Sequence, residues 1–409
     1  MERYDPTEPL AALTEWAEAP CEKECEAIVV QARALLDQAC VHLPFVRARG
    51  IDPIKRFDHL RSNLPKTMSE FYRALLWIFA ELGDRHTQCF LPEPFADKTA
   101  FLPFLAGEYF ENGEHMLAVS GSEIDGLRRG DTLISWNGAP ITKALEQHRA
   151  LQLGANPEAR HAKAVQTLTF RPLSFMPPPE EDVILESAGP DGQRQKIRLE
   201  WRVGETSYLV RRFTPIFQTE KEEAKEGFQA RVVKTSFGAF GCIRVASFHA
   251  RPDAFLKSFV EALESLPKEG LILDLRACED GIIPTAEQLL QLFTPTKIEP
   301  QPFQFRMTDL IQHIVNTCPA FHEWRAPSAQ QGEQYSRWLP LTSPEKANLV
   351  GQKYYGPVVV IVDGLTYSSA EMFAAGFQDH QIGRVLGTAR RTGGGGASPW
   401  HQSTIFSLS

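Results

Sequence analysis

The sequence predicts an α/β protein, α+β when taken as a whole, divided into several domains. Three observations carry that expectation. The chain has 409 residues, more than one ordinary core accommodates. Its texture changes along its length, from helical spacing of apolar residues, through short strands with turns, to apolar strands alternating with helices. Two nearly continuous apolar runs, Leu271-Ile272-Leu273-Asp274-Leu275 and Val358-Val359-Val360-Ile361-Val362, suit strands covered on both faces, as in a parallel sheet. The expected boundaries are a helical region at 1–95, a strand-rich region at 96–205 and an α/β region at 206–409.

Residues 67–82 give the clearest early helix. Phe71, Leu75, Ile78, Phe79 and Leu82 fall on one face behind a Thr67-x-x-Glu70 capping box. Gly83 ends it, and the polar group Asp84-Arg85-His86-Thr87 follows at once. A second helical stripe spans 21–40, where Cys21 and Cys25 share a face with Ile28, Ala32 and Leu35. In the strand-rich region, Gly130-Asp131 precedes an alternating strand from Leu133 to Trp136, and Asn137-Gly138 closes a tight hairpin before Pro140 and Ile141. Strands are expected at 182–186 and 196–201.

In the last region a strand at 242–248 leads to a helix with Phe255, Phe259, Leu263 and Leu266 on one face. The strand at 271–275 precedes a helix through Ala286, Leu289, Leu290 and Phe293. The strand at 358–362 precedes a helix from about Ser369 and a strand at Val385-Leu386, an order that implies crossover units. Residues 295–355 form a long, mostly polar connection with one helical piece at 310–315, and connections of that length are often functional. Residues 398–409 read as a strand containing Ile405 and Phe406, without a closing turn.

Composition narrows the classes of function. Hydrophobic residues make up 43% and charged residues 23%, the profile of a folded soluble protein. The formal net charge of 43 − 51 = −8 argues against nucleic-acid binding. No apolar run of eighteen residues occurs, so no membrane span is expected. The N-terminus lacks the basic start and apolar core of a signal peptide, which points to the cytoplasm, with non-classical secretion also compatible. The seven cysteines are scattered, without paired CxxC spacing or matching histidines; they read as core thiols in a reducing compartment, with no metal site or cofactor.

The segment 358–387 has the layout a nucleophile needs. An apolar strand ends at Asp363-Gly364, a short turn presents Ser368, and a helix starts immediately afterwards. A hydroxyl there sits beside unpaired backbone N–H groups and the positive end of the helix dipole, which can stabilise an oxyanion. The same residues also fit a simple cap, because Ser368-x-x-Glu371 is a capping-box pattern. From the segment alone both readings stand.

Several motifs resemble the C-terminal-processing (tail-specific) proteases. Residues 366–380, TYSSAEMFAAGFQDH, resemble that family's nucleophile segment, with Ser368, Glu371 and Asp379 in the matching positions. Residues 271–282, LILDLRACEDGI, resemble its Asp-x-Arg strand and Asn-x-Gly-Gly turn. Asp274 and Arg276 match, Cys278 replaces Asn, Asp280 replaces one Gly, and Gly281 is retained. The glycine-rich turn at 392–396 is also similar, and 121–141 resembles the core of a PDZ domain, a module that binds an extended peptide at a sheet edge.

The resemblance implies a crotonase/ClpP-like catalytic domain behind a helical N-terminal domain and a PDZ-like insert, acting as a serine endopeptidase on protein or peptide substrates. It implies Ser368 as nucleophile and the backbone N–H groups of Ser369 and Gly281 as oxyanion donors. The lysine base of the bacterial tail-specific subtype would fall at Gly393, in a run without lysine. The tricorn-core-like subtype, with its similar secreted chlamydial protease, instead uses a histidine in an Asp-x-His motif and a distant Glu. Asp84-Arg85-His86 matches that motif, making His86 the base and Asp84 a supporting residue. His380 lies at the far end of the nucleophile helix, away from Ser368. The Glu of this subtype is expected beyond Ser409, supplied by further sequence or by a separate C-terminal fragment. A homodimer is compatible with the reading. The rival reading is a catalytically weak or inactive scaffold of the same fold that binds peptides or apolar ligands.

Overall fold

The computed structural model describes residues 6–13, 19, 21–93, 95–111, 114–217, 227–324, 334–395, 401–403 and 405. A two-residue strand, β1 (Glu8–Pro9), precedes four helices: α1 (Glu22–Ala39), α2 (Leu43–Ala48), α3 (Pro53–Ser62) and α4 (Met68–Leu82). The α4 capping box forms as expected, with Thr67 Oγ1 accepting from the Glu70 N–H and the Glu70 carboxylate reaching back to the Thr67 N–H. Phe71, Leu75, Ile78, Phe79 and Leu82 are all buried, and Phe79 meets Phe57 of α3 edge to face at 6.0 Å. The α1 face differs from expectation at its first residue. Cys21 is exposed because it stands at the N-cap position, outside the helix; Cys25, Val29 and Leu36 carry the buried stripe, with Ile28, Ala32 and Leu35 at its margin.

The strand-rich region contains β2 (Lys98–Phe101), β3 (Phe104–Glu111), β4 (Glu114–Ser122), β5 (Thr132–Trp136) and β6 (Ala139–Pro140). Next come α5 (Ile141–Ala150), α6 (Pro157–Gln166), β7 (Phe170–Pro172), β8 (Asp182–Ala188), β9 (Arg194–Glu200), β10 (Arg202–Glu205) and α7 (Thr206–Phe217). One sheet runs β3-β4-β5-β8-β9 with β6 paired to β5; a second runs β1-β10-β2-β7. Asn137 adopts φ 49° between β5 and β6, the left-handed conformation that a primed hairpin turn demands, and its Oδ1 accepts from the Ile184 N–H at 2.7 Å. The expected strand at 196–201 begins two residues earlier and stops before Trp201, which is fully buried where the chain turns into β10.

The α/β region comprises β11 (Phe228–Thr235), β12 (Gly238–Val245), α8 (Pro252–Ser265), β13 (Leu271–Asp274), α9 (Ile283–Leu290), β14 (Pro302–Phe303) and α10 (Asp309–Thr317). It continues with β15 (Leu339–Pro340), α11 (Pro344–Ala347), β16 (Val358–Val362), α12 (Ser369–Asp379) and β17 (Arg384–Gly387). The sheet order is β11-β12-β13-β16-β17, antiparallel at β11/β12 and parallel thereafter, so the two apolar runs lie side by side at its centre. Phe255 and Phe259 of α8, Leu289 of α9, and Phe373 and Phe377 of α12 are fully buried in one core with Leu273 and Val360. Each such side chain contributes roughly 1.5–3 kcal/mol by leaving water.

At its described residues the long connection is anchored. Ile311, Ile314 and Val315 of α10 form a small cluster with Ile405, packed against Leu35 and Ala39 of α1. Arg306 donates to the carbonyls of Asp37 and Cys40 at 2.8 and 3.0 Å, and Thr308 Oγ1 donates to that of Gln38 at 2.6 Å. The strand expected at 398–409 is corrected at the described positions: Gln402, Ser403 and Ile405 are helical, and the Ile405 N–H donates to the His401 carbonyl at 3.0 Å. Helical backbone lets Ile405 enter the α10 cluster. Phe406 lies outside the described residues.

Candidate active site

The first half of the site follows from the way α4 ends. Gly83 takes the left-handed conformation, φ 66° and ψ 30°, and turns the chain out of the helix directly into Asp84. The buried Asp84 carboxylate accepts the His86 backbone N–H at 3.0 Å on Oδ1 and the Thr87 hydroxyl at 2.7 Å on Oδ2. This Asx-type turn fixes the path of residues 84–87. Burial opposes ionisation of Asp84, but hydrogen bonds from the His86 ring, the His86 backbone and Thr87 outweigh it and lower its pKa to about 2.

The second half follows from the end of β16. Asp363 accepts backbone N–H groups from Leu365 at 2.9 Å and from Ala277 at 3.1 Å, tying the turn after β16 to the turn after β13. Ser368 comes next, with φ 56° and ψ −124°, a strained backbone for a non-glycine residue. It stands at the N-cap of α12, yet its side chain makes no capping hydrogen bond. The capping box that Ser368-x-x-Glu371 suggested is therefore absent. The Glu371 carboxylate instead accepts the Gly394 N–H, while the Gly394 carbonyl accepts the Ser368 N–H at 2.9 Å. The Ser368 hydroxyl is left for another partner.

That partner is His86. Its Nε2 lies 3.2 Å from Ser368 Oγ, across 282 positions of sequence. On the other side of the ring, Nδ1 lies 2.7 Å from Tyr367 Oη and 3.5 Å from Asp84 Oδ1, and Tyr367 Oη is 3.4 Å from the same carboxylate oxygen. The His86 and Tyr367 rings stack at 4.6 Å. Burial, reinforced by the Asp84 charge, pushes the Tyr367 phenol well above its ordinary pKa, so it remains a neutral donor and acceptor.

Arg85 lies over the Tyr367 ring at 4.7 Å and donates to Glu279 Oε2 at 2.6 Å; Lys163 of α6 reaches the same oxygen at 3.1 Å. Burial works against the Glu279 carboxylate, but Lys163 and Arg85 overcome it and lower its pKa. One carboxylate thus joins the loop carrying His86, helix α6 and the turn after β13.

The expected oxyanion donors fare differently. Ser369 is the first residue of α12, so its N–H has no acceptor within the helix. Its hydroxyl is buried with no hydrogen-bond partner among the described residues. Gly281 has φ 151°, and a Cβ there would collide with the Phe248 backbone, so the position requires glycine. Its N–H is engaged, donating to the carboxylate of its neighbour Asp280 at 2.7 Å. Cys278, standing where the family has Asn, is fully buried; burial pushes its thiol up to about 12, and its carbonyl accepts the Tyr367 N–H at 3.0 Å. A Cβ on Gly393 would lie 2.8 Å from the Tyr367 ring, so that ring fills the space a lysine side chain would enter. At the far end of α12, His380 Nε2 accepts the Glu299 N–H at 3.3 Å.

The structure therefore brings together Ser368, His86 and Asp84. The sequence reading missed Tyr367, Glu279 and Lys163. The only signal for Tyr367 was its place beside Ser368; Glu279 fills the unspecified position of the Cys278–Gly281 turn, and Lys163 belongs to no spaced motif.

Residues 239–404 match Peptidase family S41, and residues 98–210 match the PDZ domain family. The chain is 24% identical to the tail-specific protease of Haemophilus influenzae over 207 residues, which cover 51% of this chain and span 24% of the length of that protein. Among solved structures, mature CPAF superposes with a TM-score of 0.67 at 15% identity, covering 90% of this chain and 83% of that one. Mature CPAF complexed with lactacystin gives 0.66 at 16% identity, covering 92% and 86%. These likenesses extend the shared fold across the helical, PDZ and α/β regions. The chain thus carries a PDZ domain at 98–210 ahead of a Peptidase family S41 domain at 239–404, and is similar to the tail-specific proteases.

Proposed function

We propose that this chain is a serine endopeptidase that hydrolyses peptide bonds in protein substrates through an acyl-enzyme. The observation that carries this reading is the 3.2 Å contact between His86 Nε2 and a Ser368 hydroxyl that caps nothing. As Ser368 Oγ attacks the substrate carbonyl, Nε2 takes its proton. That role requires the tautomer with hydrogen on Nδ1, which then donates to Tyr367 Oη or Asp84 Oδ1. The ionised Asp84 favours the imidazolium that forms, as the acid of a triad does. The Ser369 N–H stabilises the tetrahedral oxyanion, joined by the Gly281 N–H once Asp280 releases it. Collapse expels the amine with the proton from His86, and water then resolves the ester by the same path in reverse.

The division into a helical region at 1–95, a PDZ-like domain at 96–205 and a catalytic domain at 206–409 is supported by the family matches at 98–210 and 239–404. The PDZ domain suits capture of an extended segment of substrate. All seven cysteines are unpaired, which supports a reducing compartment such as the cytoplasm.

Casein and peptide digestion test the activity. Wild-type protein should produce fragments and Ser368→Ala none, with both melting at nearly the same temperature because no cap is lost. Cleavage by folded Ser368→Ala protein would refute the assignment.

A further inference from the structure

Outside the site, three metal-ligating side chains converge at the junction of the PDZ sheet and α6. Glu108 on β3 and His115 on β4 project from the same face of the hairpin, where Phe110 pairs with His115 and Glu108 with Leu117. His161 approaches from α6. His115 Nδ1 lies 2.8 Å and His161 Nε2 2.7 Å from the same oxygen, Glu108 Oε1, and one ligand atom from each residue falls within 4.8 Å of the others. The two imidazoles meet edge to face at 6.2 Å, and Phe110 backs His115 at 3.9 Å.

We propose that Glu108, His115 and His161 form a binding site for a divalent transition-metal ion, with Zn²⁺ the best match. Two imidazole nitrogens and one carboxylate oxygen are a zinc ligand set, completed by water. Bonds of about 2.0–2.1 Å in tetrahedral array separate neighbouring ligand atoms by roughly 3.3 Å. The two nitrogen–oxygen contacts therefore open by only about half an ångström to admit the ion. Both imidazoles bind as neutral rings, each turning a lone pair toward the metal and keeping its proton on the other nitrogen. The side chains of Glu108, His115 and His161 are 26%, 54% and 34% exposed, which leaves an open coordination position and a route of entry. The ligands come from a hairpin and a separate helix, so the ion would pin β3 and β4 to α6. Two residues beyond His161 on that helix is Lys163, which reaches Glu279, the partner of Arg85 next to His86 in the chain.

Calorimetric titration of ZnCl₂ into the metal-stripped full chain tests the site. The expected result is one Zn²⁺ per chain and a melting temperature raised by the ion. His115→Ala and His161→Ala should each weaken binding at least tenfold and lose the thermal shift, and Glu108→Gln should weaken it in a folded protein. Co²⁺ substitution gives a second readout that needs no variant: d–d bands of a low-coordinate nitrogen and oxygen site, without thiolate charge transfer. No binding, binding unchanged in the variants, or a cobalt–thiolate band would each overturn the proposal.

Discussion

Tyr367 Oη lies 2.7 Å from Nδ1 of His86 while its neighbour Ser368 presents Oγ 3.2 Å from Nε2, so two consecutive residues hold opposite edges of one imidazole. The strained backbone at Ser368 sends these adjacent side chains to the two edges of the ring. Tyr367→Phe keeps the stack on His86 and removes the hydroxyl. A hydrogen bond to a group that becomes charged contributes roughly 1.5–3 kcal/mol, so kcat should fall about 10–100-fold with KM little changed. Unchanged kcat would show that Asp84 alone orients the ring.

Asp84 gives the fold a defined acid sensitivity. Its carboxyl titrates near 3.8 when unfolded and at about 2 in the fold. A depressed folded pKa means that its contribution, roughly 2 kcal/mol, is fully present above about pH 4 and is lost as pH falls through about 2. The stability advantage of wild type over Asp84→Asn, followed by urea denaturation, should therefore shrink across that window. A gap that is constant with pH would contradict the assignment.

Glu279 should affect both stability and turnover. Glu279→Gln leaves Arg85 and Lys163 facing each other without their shared carboxylate, in a cluster whose side chains are only 13–23% exposed. Breaking such a pair costs on the order of 3 kcal/mol, seen as a lower urea midpoint at unchanged slope. Because Arg85 precedes His86, kcat should drop as well. A stable, fully active variant would show that the cluster does not position the base.

Asp280 should restrain the rate. Its carboxylate occupies the Gly281 N–H that the resemblance assigns to the oxyanion. Asp280→Gly frees that donor, and kcat should rise, by at most the ~10²–10³-fold that one oxyanion donor supplies. A fall in kcat would mean that Asp280 serves the reaction in another way.

Much of this arrangement was legible in the sequence, because its signals are local. The Thr67/Glu70 box, the apolar face of α4, Gly83, and the Val358–Val362 strand ahead of Ser368 each declare themselves within a turn or two of chain. Ser368 as cap or as nucleophile was undecidable locally, since the choice depends on Glu371 turning to Gly394, a loop 23 residues away. Glu279 and Lys163 meet across 116 positions, and Glu108 meets His161 across 53, so no spacing marks them. The C-terminal helical residues were misread as a strand because Ile405 is held by α10, a tertiary contact that overrides local preference.

Activation of the Ser368 hydroxyl by His86 is tested most directly by covalent labelling. A fluorophosphonate probe with intact-mass and peptide mapping should add one label per chain, on Ser368. His86→Ala should slow labelling by about 10²–10⁴-fold, the range for losing a general base. Labelling of folded wild-type protein that is absent, falls on another residue, or proceeds unchanged in His86→Ala would contradict it.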